Sequence, residues 1–327
     1  IGLVMIKQRL IIFSVLIIFA SACVSQNTKD IITFANWPYG HKSAVAITFE
    51  TEIPTEKEFE EISNELTERD INATFFVVAG YFQDNPVSLN PLREFEVANL
   101  AWMQNNWKES SLTYEFQERE IYKADLWLRE NGFSPIGYRA PFLMTNEATY
   151  DILEEMGYSY DASQYFDFFP YNIGEILEIP LSLNYDLYWD DLSMSYSMLP
   201  TYIAFQNSHE KDGLFTFYGH TNKVYENMNN FTYFLDYASA QDVWFASTGE
   251  VYEWWLKKEN LELIVDNDRI TVKNKGSELV TGATIKYKSN NILKGAVQIK
   301  YDKENIYAVL PPINPESQII LHFGESR

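Results

Sequence analysis

With 327 residues, 46% apolar and 16% aromatic, the chain exceeds what one small core organises and is too apolar for disorder, so two domains are expected. Its 46 acidic against 25 basic residues give a formal charge of −21, which excludes nucleic acid as a partner, because phosphate binding needs clustered cations. The 22 Tyr and 8 Trp suit a carbohydrate groove, where a ring face stacks on a sugar, and suit an ordinary aromatic core equally.

The N-terminus reads as a targeting segment. Met5-Ile-Lys-Gln-Arg9 is a short basic stretch, and Leu10 to Ala20 is an apolar run too short to span a bilayer. Ala20-Ser-Ala-Cys23 then resembles a lipobox. Residues 1–22 are therefore expected to be a signal peptide, with lipid attached at Cys23, the chain's one cysteine. The competing expectation is ordinary cleavage after Ala22. Either way the chain is exported, and a lipid on Cys23 makes the membrane a partner and the cell envelope the location. Residues 23–39 are polar and read as a tether.

From residue 40 the chain alternates strand and helix signals. Ala44 to Phe49 and Ala73 to Ala79 are short apolar runs rich in β-formers, as buried strands require. Between them, Phe59, Ile62 and Leu66 mark one face of a helix over 56–69. Helices are expected over 116–131 and 146–156, each closed by a glycine, Gly132 and Gly157. Strands follow at 177–181 and 214–218, then helices at 233–241 and 249–258 flanking a strand at 243–246. Repeated β-then-α units imply a parallel sheet with helices outside it, open or closed into a barrel.

After Lys258 the character changes. Short strands at 261–265, 269–273, 283–287, 296–300, 306–309 and 318–322 are separated by turn residues, and no helical period appears. A small all-β sandwich over 260–327 is expected.

Four histidines occur: His41, His209, His220 and His322. A hydrolytic zinc site uses two or three His with a carboxylate. The nearest pair here, His209 and His220, is eleven positions apart, so no local His pair exists.

Several segments together resemble the polysaccharide deacetylases, the NodB-homology or family 4 carbohydrate esterases. They are Ala44-Val-Ala-Ile-Thr-Phe-Glu-Thr-Glu52, Ile71-Asn-Ala-Thr-Phe-Phe-Val-Val-Ala-Gly80, Glu96-Val-Ala-Asn-Leu-Ala-Trp-Met-Gln104, Gly137-Tyr-Arg-Ala-Pro-Phe142, Tyr160-Asp-Ala-Ser163, Glu178-Ile-Pro-Leu-Ser182, Phe217-Tyr-Gly-His220 and the stretch from Val243 to Trp255. The resemblance spans 40–258 and implies a distorted (β/α) barrel that removes acetyl groups from glycans. It implies a divalent metal held by an Asp and two His, which polarises the carbonyl and activates water. It further implies a carboxylate base, an orienting Arg and a late His as general acid.

Carried over by position, the base is Glu50, longer by one methylene than the family's Asp. The orienting residue is Arg139 and the acid is His220. Glu52 falls on the metal carboxylate, while Leu100 and Gln104 fall on the two metal histidines. Leu cannot ligate and a Gln carbonyl is a poor ligand, so no metal cofactor is expected. Trp102, Pro141, Phe142 and Tyr218 are the candidate substrate contacts, and packing is the alternative for Trp102 and its neighbour Trp107. Three outcomes stay open: a metal-independent hydrolase of non-peptide C–N bonds such as glycan N-acetyl groups, a rebuilt metal site, or an inactive glycan-binding lipoprotein.

Overall fold

The computed structural model describes residues 32–324, except 53–54, 105–106, 109–111, 166, 191–194, 197 and 290, and without the side chains of 84, 187–190 and 195–196. The expected signal peptide and Cys23 lie outside the described residues.

In chain order the elements are β1 (Thr33–Phe34), β2 (Ser43–Thr51), α1 (Glu56–Thr67), β3 (Ala73–Val77), α2 (Ala79–Asp84), β4 (Glu96–Asn99), α3 (Tyr114–Glu130), β5 (Gly137–Tyr138), α4 (Glu147–Glu155), β6 (Tyr160–Asp161), β7 (Tyr171–Ile173), β8 (Ile176–Glu178) and β9 (Leu183–Asn184). They continue with the hairpin β10 (Trp189–Asp190) and β11 (Ser195–Tyr196), then α5 (Leu199–Glu210), β12 (Leu214–His220), α6 (Thr221–Glu226), α7 (Met228–Ser239), β13 (Val243–Ala246) and α8 (Thr248–Glu259). The last part holds β14 (Leu261–Asp266), β15 (Arg269–Asn274), β16 (Thr284–Tyr287), β17 (Ile292–Lys294), β18 (Gln298–Tyr301), β19 (Ile306–Val309) and β20 (Gln318–Gly324).

The main sheet runs β7-β8-β6-β5-β4-β3-β2-β12-β9, parallel except for β7. On one edge of β2, β13 pairs with Ser43–Ala46 and β3 pairs with Ile47–Thr51, so the sheet splits there and curls. This is the distorted barrel of the expected class.

Period-2 alternation along β2 decides what lies on each side. Val45, Ile47 and Phe49 point outward into a core shared with Phe59 and Leu66 of α1, Val224 of α6, and Phe231 and Phe234 of α7. There Phe49 stacks on Phe75 at 4.8 Å and meets Phe231 edge-on at 5.8 Å, contacts each worth roughly 0.5–1.5 kcal/mol beyond burial. Ala44, Ala46, Thr48 and Glu50 point inward. The first two are small enough to leave the lumen to Phe76, Val78 and Leu100, and the last two carry polar groups toward its upper end.

Caps end the helices where the sequence signals them. The Thr55 hydroxyl accepts from the Glu58 amide while the Glu58 carboxylate accepts from the Thr55 amide, and Ser247 and Glu250 repeat this box on α8. Gly132 and Gly157 sit at φ +82° and +74°, as C′ positions after α3 and α4 require.

The last part forms two antiparallel four-stranded sheets, β14-β15-β20-β17 and β1-β16-β19-β18, sharing a core of Ile270, Val272, Leu321, Ile285 and Tyr287. Two of these strands were not expected from the sequence. β17 is one. The other is β1, which comes from the segment read as a tether: Phe34 pairs with Ile285 and Thr33 with Lys286. The chain from Thr33 to Lys42 is thus part of the packed structure rather than a free linker. Trp37, fully buried, donates to the Asp212 carbonyl at 2.8 Å, Trp254 donates to the Asn36 carbonyl at 2.7 Å, and Lys286 pairs with Asp212 at 2.7 Å. These contacts fix the sandwich beneath the N-terminal ends of β2 and β12.

Candidate active site

Functional groups of α/β barrels collect at the C-terminal ends of the strands. There β2 ends in Glu50, β12 ends in His220, and Arg139 follows β5 directly. Register places His220 opposite Glu50 on adjacent parallel strands.

Arg139 is fully buried and is held on all sides. Its Nε donates to the Ala162 carbonyl at 2.8 Å and its Nη2 to the Thr48 hydroxyl at 3.0 Å, and Thr48 in turn donates to the Phe217 carbonyl at 2.7 Å. The guanidinium lies over the Phe76 ring at 4.0 Å and the Tyr218 ring at 4.9 Å, a cation–π clamp. Its Nη1 has no hydrogen-bond partner among the described residues and faces Glu50 Oε1, also without one, at 3.9 Å. Glu50 is 3% exposed. Its other oxygen, Oε2, lies 3.4 Å from His220 Nε2, which is also 3.5 Å from Glu52 Oε1.

The second ring nitrogen of His220 brings in a residue that sequence reasoning missed. Nδ1 donates to the Asp186 carboxylate, and the same Oδ2 accepts from the His220 backbone amide at 3.1 Å. Asp186 is 34 positions from His220, in a run of aromatic and acidic residues (Tyr185-Asp-Leu-Tyr-Trp-Asp-Asp191) with no periodic pattern to single it out. Burial works against a charged imidazole here. The hydrogen bonds from Asp186, Glu50 and Glu52 outweigh it and push His220 up to about 12, so the ring is an imidazolium at neutral pH. Glu52 is held below its ordinary value, first by its hydrogen bond to His220, with help from Gln104 and against the cost of burial.

The remaining expected residues divide. Tyr218 lines the site as the face on which Arg139 rests, and burial pushes its phenol up, so it stays neutral. Pro141 is buried and opens a tight turn over Pro141–Leu143, in which Phe142 takes φ +54° with its ring 59% exposed. A left-handed non-glycine residue at a site's rim is a position where structure spends strain. Lys123 of α3 lies over the Trp102 ring at 3.9 Å, and Trp107 packs edge-on against Phe116.

Behind Arg139 lies a second acidic pair that sequence reasoning did not single out. Asp161 and Glu178, both fully buried, face one another. Ser163 and Gln164 donate backbone amides to Glu178 Oε1, and the Ser163 hydroxyl donates to Asp161. Burial raises both carboxyls, and the facing Asp161 raises Glu178 further, as expected when two acids share one proton.

The residues do not fit the metal set that the resemblance implies. Leu100 is fully buried among Phe76, Val78 and Ala98, and Gln104 is buried with its Nε2 lacking a hydrogen-bond partner among the described residues, so neither metal-histidine position offers an imidazole. The arrangement can instead hold a carboxylate beside a guanidinium and present an imidazolium proton within the same 4 Å.

A curled parallel sheet with Glu50, His220 and Arg139 at its mouth defines a distorted α/β barrel. Residues 28–160 match the family model described as polysaccharide deacetylase. Solved structures carry the same fold across the rest of the barrel. One, from Mycobacterium smegmatis and assigned as a polysaccharide deacetylase, has TM-score 0.59 at 19% identity over 66% of this chain and 91% of its own. A second, from Pseudomonas aeruginosa PAO1 and assigned likewise, has TM-score 0.59 at 17% identity over 68% and 94%. A third, the PuuE allantoinase, has TM-score 0.55 at 16% identity over 68% and 93%. No curated protein matches the chain.

Proposed function

We propose that the protein hydrolyses a non-peptide C–N bond, in the first instance an N-acetyl group of an envelope glycan, without the metal set of its family. The observation that carries this reading is the convergence of Glu50, Arg139 and the Asp186–His220 pair at one strand end.

In this reading Glu50 takes a proton from an attacking water. Arg139, fixed by its contacts to Ala162, Thr48, Phe76 and Tyr218, keeps that carboxylate in place. His220, already protonated, gives its proton to the departing amine, and Asp186 holds the ring in register through Nδ1. Glu50 and His220 lie 3.4 Å apart, so substrate must enter between them. Entry is from the side where Glu52 and His220 are part-exposed and Phe142 offers an open ring face to a sugar. Export on a lipid at Cys23 places this chemistry at the cell envelope.

The test is release of free amine and acetate from acetylated chitooligosaccharides by chelator-treated protein. Allantoin joins the panel because an allantoinase shares the fold. Release that disappears in Glu50→Gln supports the reading. Saturable oligosaccharide binding with no release from any substrate overturns it in favour of a glycan-binding protein, a role that the exposed Phe142 ring also suits.

A further inference from the structure

Three ligand-type atoms meet at the mouth of the barrel with an oddly long spacing. His220 Nε2 lies 3.4 Å from Glu50 Oε2 and 3.5 Å from Glu52 Oε1, and all three atoms fall within 4.8 Å of one another. Hydrogen bonds between nitrogen and oxygen centre near 2.9 Å, so these two are long ones. Nitrogen and oxygen ligands about 2.0–2.1 Å from a tetrahedral ion lie roughly 3.3–3.4 Å from each other, close to the two distances from His220 Nε2.

Two further observations point the same way. The Nδ1 of His220 is bound to Asp186, which fixes the ring and leaves Nε2 as the atom facing the carboxylates. A carboxylate behind a histidine is the usual outer support of a metal-bound imidazole. Glu50, nearly fully buried, has one oxygen with no hydrogen-bond partner among the described residues and the other only at 3.4 Å from His220. A proton on Nε2 serves one such contact at a time, whereas one ion at the centre would serve all three.

We propose that Glu50, Glu52 and His220 form a binding site for a small divalent cation of the zinc class, supported by Asp186, and that the bound ion blocks hydrolysis rather than driving it. The ligand set shares only the Glu52 position with the family's set, and it consumes the base and the acid. The blocking rests on the function proposed above; the binding site does not.

The experiment titrates the chelator-treated full chain with Zn²⁺ by calorimetry and with Co²⁺ by visible absorption. One ion per chain is expected, with the intense bands of four-coordinate Co²⁺. Glu52→Gln, at a part-exposed position that should leave the fold intact by thermal melting, is expected to weaken Zn²⁺ binding at least tenfold and to abolish the bands. Asp186→Asn is expected to weaken binding about tenfold or more. Zn²⁺ binding that is equal in wild type and Glu52→Gln, or absent altogether, overturns the site. In the activity arm, Zn²⁺ is expected to suppress amide hydrolysis by wild type and to spare Glu52→Gln. Activation by Zn²⁺ together with intact stoichiometric binding overturns the blocking and the metal-free mechanism, and leaves the site standing. If no substrate is turned over, calorimetry and absorption still decide the site alone.

Discussion

Two glutamates, the part-buried Glu96 and the buried Glu50, point to the inner side of the barrel sheet, and they are treated in opposite ways. Glu96 on β4 is saturated. Its Oε1 accepts from the Tyr160 hydroxyl at 2.8 Å, and its Oε2 accepts from Thr74 at 2.7 Å and from the Gly249 backbone amide at 2.7 Å, at the start of α8. Glu50 on β2 is starved of hydrogen bonds, with Oε1 facing only Arg139 Nη1 at 3.9 Å and Oε2 beside His220 at 3.4 Å. A saturated carboxylate ties elements together, here β3, β4, β6 and α8. A starved one has lone pairs to spend on a substrate, a water or an ion.

Substitutions sharpen this contrast. Glu50→Gln is expected to lower turnover about 100- to 10,000-fold, the range for a lost general base, while shifting the melting temperature little. Equal loss of both would make Glu50 another structural acid. Glu96→Ala should do the reverse, lowering unfolding free energy in urea by about 1–3 kcal/mol, since it leaves the Gly249 amide without its acceptor and the Tyr160 hydroxyl with Thr248 alone. Asp186→Asn is expected to cut turnover about 10- to 100-fold, because the imidazole loses the partner that orients it.

The pH dependence follows from the same cluster. A histidine raised from its ordinary 6.5 up to about 12 contributes stability that is fully present below pH 6.5 and is lost as pH climbs towards 12. Chelator-treated wild type should therefore lose stability through the alkaline range more steeply than His220→Gln, as read by urea melts at fixed pH. Parallel slopes would mean that the three carboxylates do not hold the proton. The smallest effect is expected at Phe142→Ala: a few-fold rise in KM for an oligosaccharide with kcat kept, as suits a ring that is 59% exposed.

The outer layer of the barrel was legible because its signals are periodic. Phe59, Ile62 and Leu66 face the sheet as their spacing requires, and all six expected sandwich strands are present. The helix α5 was not legible. Its apolar residues fall on more than one side, with Leu199 and Ile203 left 64% and 51% exposed, so no stripe marks it. The strand β1 is two residues long and owes its existence to a partner some 250 positions away, which no local pattern announces. At the site, Glu50, Arg139 and His220 could be placed because each sits in a recognisable motif. Asp186 could not, because its role is set only by where the β9–α5 segment crosses β12. Trp102 was a candidate sugar contact from its place beside the Leu100–Gln104 motif, and the Lys123 ammonium lying over its ring could not be read from that motif.

The placement of β1 has a mechanical consequence. The chain enters the packed structure through the sandwich, beneath the N-terminal end of β2, and Glu50 lies near the far end of that nine-residue strand. At about 3.3 Å per residue, the mouth of the barrel stands roughly 25 Å further out than the point of entry. Anything that holds the polypeptide ahead of Thr33 therefore grips it at the base. The rim that carries Glu50 then faces away from such a hold, and tension applied there is borne by the β1–β16 pairing before it reaches β2.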